Sequence, residues 1–263
     1  MKQHDKNGIR FFQFDSFPEG VIDHGVLGRL GGVSPEPFKS LNMSRSVPDA
    51  PENYQENQRR GYEVFGRTKE TLVHAHLVHK SAVSPVTSSH NSMVILGTDA
   101  LITNDIGCGL TMNYADCAPI FVYDPENHAI GLGHAGWQGA VMDVPGAMVR
   151  AMGMKYGSRP EKLLGGIGPC IGSCCYEVDE PLVSRAQKAF PKHINELLLK
   201  QPNKTRFHFD LEQANYINFI NAGVTKIERS GFCTGCNTDL FFSHRVENGK
   251  TGRFGAVMIL SER

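Results

Sequence analysis

Hydrophobic and polar positions alternate over short stretches of this chain, which indicates a protein rich in β-strands. Strands are predicted at residues 11–14, 21–27, 71–78, 100–103, 110–114, 119–123, 129–133, 225–228 and 254–260. Helices are predicted at residues 52–65, 141–152, 181–190 and 211–222, the last ended by Gly223. Strands and helices alternate irregularly, with tight hairpins between strands. We therefore expect an α/β fold with a mixed β-sheet covered by helices.

The chain has no internal repeat, low-complexity tract or long linker, and we expect a single domain over residues 1–263. Lysine plus arginine and aspartate plus glutamate number 27 each, so no net charge attracts nucleic acid or a membrane surface. A small or neutral ligand is favoured instead. No pattern typical of stable assembly is present, and a monomer or weak homodimer is expected.

Three further features indicate a cytoplasmic protein. No hydrophobic run approaches the roughly 18 residues that a membrane span needs. Residues 1–10 are polar and contain no signal-peptide core. The seven cysteines are an odd number, which does not suit a secreted disulfide framework. We expect reduced thiols, most of them small core residues, and an unusual one would be a metal ligand or a nucleophile.

A predicted β-hairpin brings a cysteine and a histidine together. Its turn is Asp124-Pro125-Glu126-Asn127, and a symmetric turn centred between Pro125 and Glu126 places Cys117 directly opposite His134. Opposed residues of an antiparallel pair have Cβ atoms about 4.5–5.5 Å apart. A thiolate and an imidazole at that separation can share a metal ion or form a hydrogen-bonded pair. The same pair would also suit a cysteine hydrolase or deamidase, which needs a thiolate beside an imidazolium.

A third metal ligand is expected from the strand at residues 71–78. Strand alternation puts His74 and His76 on one face, with His79 on the other face or just past the strand end. The pattern does not choose among the three histidines.

Other cysteines are interpreted without a metal. Cys233 and Cys236 have C-x-x-C spacing, but a zinc site needs a second ligand pair, and none is evident nearby in the sequence. We therefore expect plain thiols there. Cys170, Cys174 and Cys175 are expected to be core or turn residues.

A series of motifs extends from about residue 20 to the end of the chain. They are residues 28–34 (GRLGGVS), 40–42 (SLN), 78–79 (VH), 98–103 (TDALIT), 115–117 (ADC), 134–139 (HAGWQG), 168–169 (GP), 175–178 (CYEV), 241–245 (FFSHR) and 251–253 (TGR). In this order they resemble the YfiH-like laccase-domain proteins, also called the multicopper polyphenol oxidase family, which includes purine nucleoside-processing enzymes.

The resemblance implies a zinc ion bound by His79, Cys117 and His134, and a single-domain α/β fold. It also implies phosphorolysis of purine nucleosides such as adenosine, inosine, guanosine and methylthioadenosine, with adenosine deamination as a further activity. Purine nucleoside and inorganic phosphate are then the partners. The chain departs from the family pattern at Leu77 (usually Gln), Lys80 (usually small), Gln138 (usually Arg) and His244 (usually Tyr).

Chemical roles can be assigned to these residues. One thiolate and two imidazoles suit zinc and leave a fourth position open, where a bound water would have its pKa lowered toward about 7. Asp116, beside Cys117, is a candidate acid or base near the purine, or a residue that orients a ligand histidine. Candidate phosphate-binding residues are Arg29, Asn42, Arg245 and Arg253.

Copper chemistry, which the family's older name suggests, is disfavoured by the histidine pattern. A multicopper site needs many closely spaced histidines. The 11 histidines of this chain include a single His-x-His pair, His74-Ala75-His76. We therefore expect zinc, with copper as the alternative in a polyphenol oxidase.

Overall fold

The computed structural model describes residues 1–200 and 206–261, which form sixteen β-strands and six α-helices. The strands are β1 (Lys2–Lys6), β2 (Ile9–Gln13), β3 (Ile22–Leu27), β4 (Leu72–His76), β5 (Val83–Pro85), β6 (Val94–Leu96), β7 (Ala100–Thr103), β8 (Gly109–Tyr114), β9 (Ala118–Asp124), β10 (Ala129–Ala135), β11 (Leu164–Ile167), β12 (Glu177–Val178), β13 (Leu198–Lys200), β14 (Phe207–Phe209), β15 (Lys226–Arg229) and β16 (Phe254–Leu260). The helices are α1 (Pro51–Glu63), α2 (Trp137–Val141), α3 (Val144–Tyr156), α4 (Glu180–Ala189), α5 (Ile194–Leu197) and α6 (Leu211–Asn221).

The strands form two large mixed sheets and one small sheet. The first sheet has the order β1-β2-β3-β16-β8-β4-β6, and the second has the order β15-β11-β9-β10-β7-β5. Each contains parallel and antiparallel pairs, for example β4 parallel to β8 and β16 antiparallel to β8. The third sheet is the short antiparallel set β12-β14-β13. The expected mixed α/β fold is confirmed. The sequence pattern did not indicate, however, that most strands are divided between two large sheets.

The two large sheets pack face to face around an aromatic core. Phe12 and Phe254 of the first sheet belong to the same buried cluster as Phe121 of the second. Phe14, just after β2, meets Phe121 edge to face with ring centroids 5.2 Å apart. Because strand residues alternate between faces, Ile120 and its equivalents on the second sheet point the other way.

Helices cover the two outer faces. On the first sheet, Tyr62 of α1 joins Leu27 and Val257 in one buried cluster. On the second sheet, α3 and α6 contribute residues such as Met148 and Phe219 to the cluster that contains Ile120. This covering explains why every residue of β9, β10 and β16 is buried.

One predicted helix is wrong in its extent. Residues 141–152 are divided between α2, which ends at Val141, and α3, which begins at Val144. Asp143 lies between them with a left-handed φ of 61°, and its carboxylate accepts a hydrogen bond from the Gly146 amide at 2.9 Å. An N-cap of this kind starts a new helix and therefore interrupts the periodic segment. In the part of the chain that the structure describes, no helix is both long and apolar enough to cross a membrane.

Candidate active site

The three predicted metal ligands line one cavity of about 1000 Å³, together with Arg253. His79 follows β4, Cys117 lies in the connection that crosses from β8 in the first sheet to β9 in the second, and His134 is in β10. Arg253 immediately precedes β16. The cavity therefore forms where ends of strands from both sheets meet.

The predicted hairpin register is wrong by two residues. Pro119, not Cys117, pairs with His134, and the last pair before the turn is Asp124 with Ala129. The loop is longer than predicted because the Asp124 carboxylate accepts hydrogen bonds from the amides of residues 126 and 127, and because residue 128 takes a left-handed φ of 48°. Cys117 and His134 still share the cavity as diagonal neighbours.

Cys117 faces Gly136 across the strand pair. A Cβ atom at position 136 would lie only 2.7 Å from the Cys117 Sγ, so the absence of a side chain there leaves room for the thiol. Glycine in the His-Ala-Gly-Trp motif thus has a steric role beside the candidate ligand.

Asp99 fixes the position of His79 and was given no role in the sequence analysis. Its carboxylate is fully buried and accepts hydrogen bonds from the amides of Val78 (3.0 Å), His79 (2.7 Å) and Lys80 (2.8 Å). This arrangement ends β4 at residue 76 and turns His79 into a left-handed conformation with a φ of 54°. A buried acid just before a strand was the available signal.

The same residue also holds the second histidine. The backbone carbonyl of Asp99 accepts a hydrogen bond from the His134 amide at 2.8 Å. The His134 ring stacks on Tyr114 and meets the His79 ring edge to face, with centroids 5.3 and 5.2 Å away. Among the described residues, none pairs with the buried Nδ1 of His134. A buried nitrogen without a partner is costly, and a metal ion would supply one.

Burial keeps the unliganded cysteine and histidine neutral. Desolvation, reinforced by the charge of Asp116 and opposed by Arg253, raises the pKa of the Cys117 thiol to about 12. Desolvation is the largest cause that lowers the pKa of His134, and the electrostatic effect of the neighbouring His79 is the second. Together they lower this pKa to about 3. A bound cation would favour the thiolate and the neutral imidazole together, which is the donor set that zinc prefers.

The Asp116 carboxylate is engaged by two protein donors. One oxygen accepts from the Thr234 hydroxyl at 2.6 Å and the other from the Arg245 amide at 2.7 Å. Asp116 also has a left-handed φ of 80°, an unusual conformation that is common at functional sites. These contacts position the adjacent Cys117. The predicted acid or base role of Asp116 stays a prediction.

Of the four predicted phosphate-binding residues, Arg253 lines the cavity. Its guanidinium is half-buried, and burial lowers its pKa, while Cys117 and Asp116 oppose that effect. Arg29 is directed to the Thr238 carbonyl and to Glu247, over the Phe242 ring.

The remaining two candidates have structural contacts. Asn42 is fully buried and accepts a hydrogen bond from the Arg253 amide at 3.0 Å, so it supports that residue from behind. The Arg245 side chain donates to the Glu177 carbonyl and lies over the Tyr176 ring. The structure thus brings one of the four predicted phosphate ligands to the predicted metal ligands.

Three lining residues were given no role by sequence: the cations Arg45 and Lys69, and His244. Arg45 and Lys69 come from segments between the main strands and helices, whose position no local pattern indicates. His244, a departure from the family pattern, has its Nδ1 3.5 Å from the Arg253 guanidinium. His74 and His76, the other two candidate ligands, lie in the same wall, and His74 pairs with the Tyr62 hydroxyl at 3.2 Å.

A closer group of candidate ligands lies elsewhere. One group in the described part of the chain places at least three potential ligand atoms (histidine nitrogen, cysteine sulfur or carboxylate oxygen) within 4.8 Å of one another, and no other described group does. It consists of Cys174, Cys175, Cys233 and Cys236. Cys233 and Cys236 therefore do have a second candidate ligand pair close in space, although none is nearby in the sequence. The missing pair comes from a distant part of the sequence, which spacing alone does not reveal.

Comparison with known proteins identifies the family. A family model described as multi-copper polyphenol oxidoreductase laccase matches residues 23–261. Purine nucleoside phosphorylase YlmD of Bacillus subtilis is 32% identical over 247 residues, which cover 90% of this chain and 88% of the relative. The protein of the same name from Geobacillus stearothermophilus is 34% identical over 243 residues, which cover 89% of this chain and 88% of the relative.

Solved structures agree with this assignment. The crystal structure of YlmD from Geobacillus stearothermophilus superposes with a TM-score of 0.92 at 32% identity, covering 99% of this chain and 98% of that one. The hypothetical protein YfiH of Bacillus licheniformis superposes with a TM-score of 0.90 at 28% identity, covering 98% of both chains. The chain is therefore a member of the multi-copper polyphenol oxidoreductase laccase family, also known as the YfiH family.

Proposed function

We propose that this protein is a zinc-dependent purine nucleoside phosphorylase. The observation that carries the proposal is the convergence of His79, Cys117, His134 and Arg253 on one cavity. Its volume, about 1000 Å³, lies at the upper end of the range typical of small-molecule sites. The relatives named as purine nucleoside phosphorylases support the substrate class.

His79, Cys117 and His134 would hold the zinc ion. The unpaired Nδ1 of His134 and the thiol of Cys117 fit a metal that takes nitrogen and sulfur ligands. When bound, such an ion supplies Lewis-acid activation of a substrate oxygen or of water, which is also the chemistry that adenosine deamination requires. Asp99 holds both histidines and Asp116 holds the backbone at Cys117.

Phosphate would bind at the cationic side chains of the cavity. The lining contains three cationic side chains, those of Arg45, Lys69 and Arg253, and one carboxylate, that of Glu70. Its net charge is therefore positive. Arginine suits a phosphate dianion because its fork of N–H groups matches two oxygens at once. The half-buried guanidinium of Arg253 interacts electrostatically with Cys117, one of the predicted ligands.

The proposed reaction is displacement at C1′ of the ribose. A phosphate oxygen forms a bond to C1′ of the ribose while the bond from C1′ to N9 breaks. The electron pair passes to the purine, which gains a proton and leaves as the free base with ribose 1-phosphate as the second product. His76 and His244 are both exposed in the cavity lining, which makes them candidate donors of this proton to the leaving base.

The test is product analysis of the purified protein. Adenosine, inosine, guanosine and methylthioadenosine are incubated with and without phosphate, and products are identified by mass spectrometry. We expect free base and ribose 1-phosphate, or 5-methylthioribose 1-phosphate in the case of methylthioadenosine, only when phosphate is present. Cys117→Ala should reduce the rate by at least about 100-fold, because a metal contributes several kcal/mol to stabilising the transition state.

The matched control is Cys108→Ala, which removes a buried thiol that is not part of the cavity lining. It should keep the wild-type rate. Full activity of Cys117→Ala, or base release that does not depend on phosphate, would refute the proposal. Conversion of adenosine to inosine without phosphate would add deamination to the activity.

Two alternatives are less well supported. A cysteine hydrolase needs a Cys117 thiolate beside a protonated His134, whereas burial raises the pKa of the one and lowers the pKa of the other. A copper-binding polyphenol oxidase would use the five histidines that line the cavity, but the relatives named as purine nucleoside phosphorylases support the phosphorylase instead. Metal analysis of the purified protein distinguishes zinc from copper directly.

A further inference from the structure

Four cysteines from two loops converge at the surface, away from the cavity already described. Cys174 and Cys175 follow β11, whereas Cys233 and Cys236 follow β15. Their four Sγ atoms all lie within 4.8 Å of one another. The Cys236 Sγ is 3.2 Å from that of Cys174 and 3.4 Å from that of Cys175.

These separations match a shared metal ion better than a disulfide. All seven cysteines are free, and the observed contacts are much longer than a disulfide bond of about 2.05 Å. Two thiolates at about 2.3 Å from a tetrahedral ion are separated by roughly 3.8 Å. An iron–sulfur cluster would push its cysteines further apart, so the group fits a single ion.

The surrounding backbone leaves space for the sulfurs. A Cβ atom at Gly235 would lie 3.0 Å from the Cys175 Cβ and 3.1 Å from its Sγ. A Cβ atom at Gly172 would lie 3.3 Å from the Cys174 Sγ and 3.4 Å from that of Cys233. Both glycines are therefore needed for the close approach of the two loops.

A backbone amide also stabilises negative charge on the cluster. The Gly172 amide donates a hydrogen bond to the Cys233 Sγ at 3.2 Å. N–H donors that surround a ligand sulfur are a regular feature of metal–thiolate sites, since they stabilise the thiolate and orient it.

We propose that Cys174, Cys175, Cys233 and Cys236 form a second metal site, which holds one tetrahedral thiophilic cation of the zinc type. Four thiolates with no open position for water describe a structural site. Binding replaces four thiol protons by one divalent ion and releases the protons to solvent. The site is separate from the proposed nucleoside cavity and does not depend on the reaction assigned to it.

The position of the cluster gives the ion a structural task. Cys170 and Cys233 form a parallel bridge between the two loops, and the Thr234 amide donates to the Cys170 carbonyl at 3.0 Å. From these loops, the Thr234 hydroxyl and the Ile171 amide both donate to Asp116. An ion that ties the loops together would therefore steady Asp116, the residue next to Cys117.

The test is metal content of the full-length protein, purified without chelator and measured by elemental mass spectrometry. Relative to the wild type, Cys174→Ser/Cys236→Ser should bind one metal ion fewer per chain. Cys108→Ala is the matched thiol control and should retain the wild-type content. His134→Ala removes a ligand of the proposed active site and should lose the metal ion of that site only. The metal content of the two variants therefore shows which of the two proposed sites fails, if either does.

Cobalt substitution keeps the test decisive if the double variant does not fold. Cobalt-loaded His134→Ala should retain the intense thiolate-to-metal absorption and the tetrahedral visible bands of a four-thiolate site. Zinc or iron bound with this cysteine dependence supports the proposal. Equal metal content in the wild type and the folded double variant, no four-thiolate spectrum, or a disulfide among the four cysteines in the metal-loaded protein would overturn it.

Discussion

The Asp99 carboxylate positions a candidate ligand through the backbone rather than through side chains. It binds the amides of three consecutive residues, and any residue with an amide proton can supply such a contact. The departures that the resemblance assigns to Leu77 and Lys80 therefore leave this contact in place, because Asp99 binds backbone amides. The side chains on either side of Val78-His79 are free to vary as long as the backbone reaches Asp99.

Asp99→Asn should weaken zinc binding at the proposed site by about 10- to 100-fold, the range seen when a residue that supports a metal ligand is changed. Both oxygens of the Asp99 carboxylate accept hydrogen bonds from backbone amides. In asparagine an NH2 group replaces one of these oxygens and cannot accept, so at least one of the three hydrogen bonds is lost. The effect is measured as the number of zinc ions that each chain retains while the chelator concentration is increased. The zinc held by the proposed four-cysteine site should be the same in the wild type and in Asp99→Asn.

Asp105→Asn is the control for this substitution. Its carboxylate also accepts backbone hydrogen bonds, from Ser88 and Gly107, but lies outside the cavity lining. Unchanged zinc retention in Asp99→Asn would contradict the positioning role.

At this scale, the sequence predicts candidate ligands but not their exact placement. Cys117 and His134 were expected to be opposite each other and are diagonal neighbours, because side chains in the turn set its length. The backbone conformation of His79 depends on an acid twenty residues away in sequence, which no local pattern shows.

The β9–β10 hairpin is held at its turn by Asp124. This buried carboxylate accepts hydrogen bonds from the amides of Glu126 and Asn127, at 2.9 and 3.1 Å, and from the Asn127 side chain at 2.8 Å. Burial raises the pKa of Asp124, but interactions with Ser158 and then with the donors of the loop lower it below its ordinary value. The turn thereby sets the register that carries His134 into the cavity.

Asp124→Ala should lower the free energy of unfolding by about 2 kcal/mol, since it removes the buried carboxylate that accepts three hydrogen bonds in the loop. Urea denaturation at neutral pH measures the change. Glu126→Ala, in the same loop, removes an exposed ion pair with Arg159 and should change the midpoint little. Equal effects of the two substitutions would show that Asp124 does not hold the turn.

Most element positions followed from periodicity and end signals, as in α6, where Gly223 takes its predicted place with a φ of 91°. β11 did not. Its sequence, LGGI, has weak strand propensity, and the structure shows why glycine is present: a Cβ atom at Gly166 would lie 2.7 Å from the Phe14 ring. Packing from another part of the chain decides such an element.

At the scale of the whole molecule, a buried histidine lies between the two sheets. His24 of β3 contacts Phe14, Phe17 and, across the interface, Phe121. Its Nε2 accepts a hydrogen bond from the Phe14 amide at 2.8 Å. Burial lowers the pKa of His24 to about 4, because protonation would place a charge in an apolar core and remove that acceptor.

The free energy of unfolding should therefore decrease as the pH falls. Between the ordinary histidine pKa of 6.5 and the folded pKa of about 4, the unfolded chain binds the proton that the folded chain excludes. His24 contributes a loss of about 3 kcal/mol over this window. Chemical denaturation from pH 7 to pH 4 should show a steeper decline in the wild type than in His24→Gln, which keeps an acceptor without titrating.

The surface variant His193→Gln serves as the control, because this side chain lies outside the core. It should follow the wild-type curve. Identical pH slopes in the wild type and His24→Gln would contradict the assignment.

The pattern predicted the fold class but not the division of strands between two sheets. Alternation shows which face of a strand is apolar, yet every residue of β9 and β16 is buried, so their sequences do not distinguish one partner from another. Partner choice depends on contacts between distant segments, such as β16 with β3.

The central position of β16 has a consequence for biosynthesis. This strand joins β3 on one side to β8 on the other, yet the ribosome makes it after every other strand of the first sheet. Until it emerges, the nascent chain holds two separate halves of that sheet, each with an exposed edge that chaperones would need to shield. Arg253 arrives with it, so the cavity acquires its half-buried cation only at the final stage of folding.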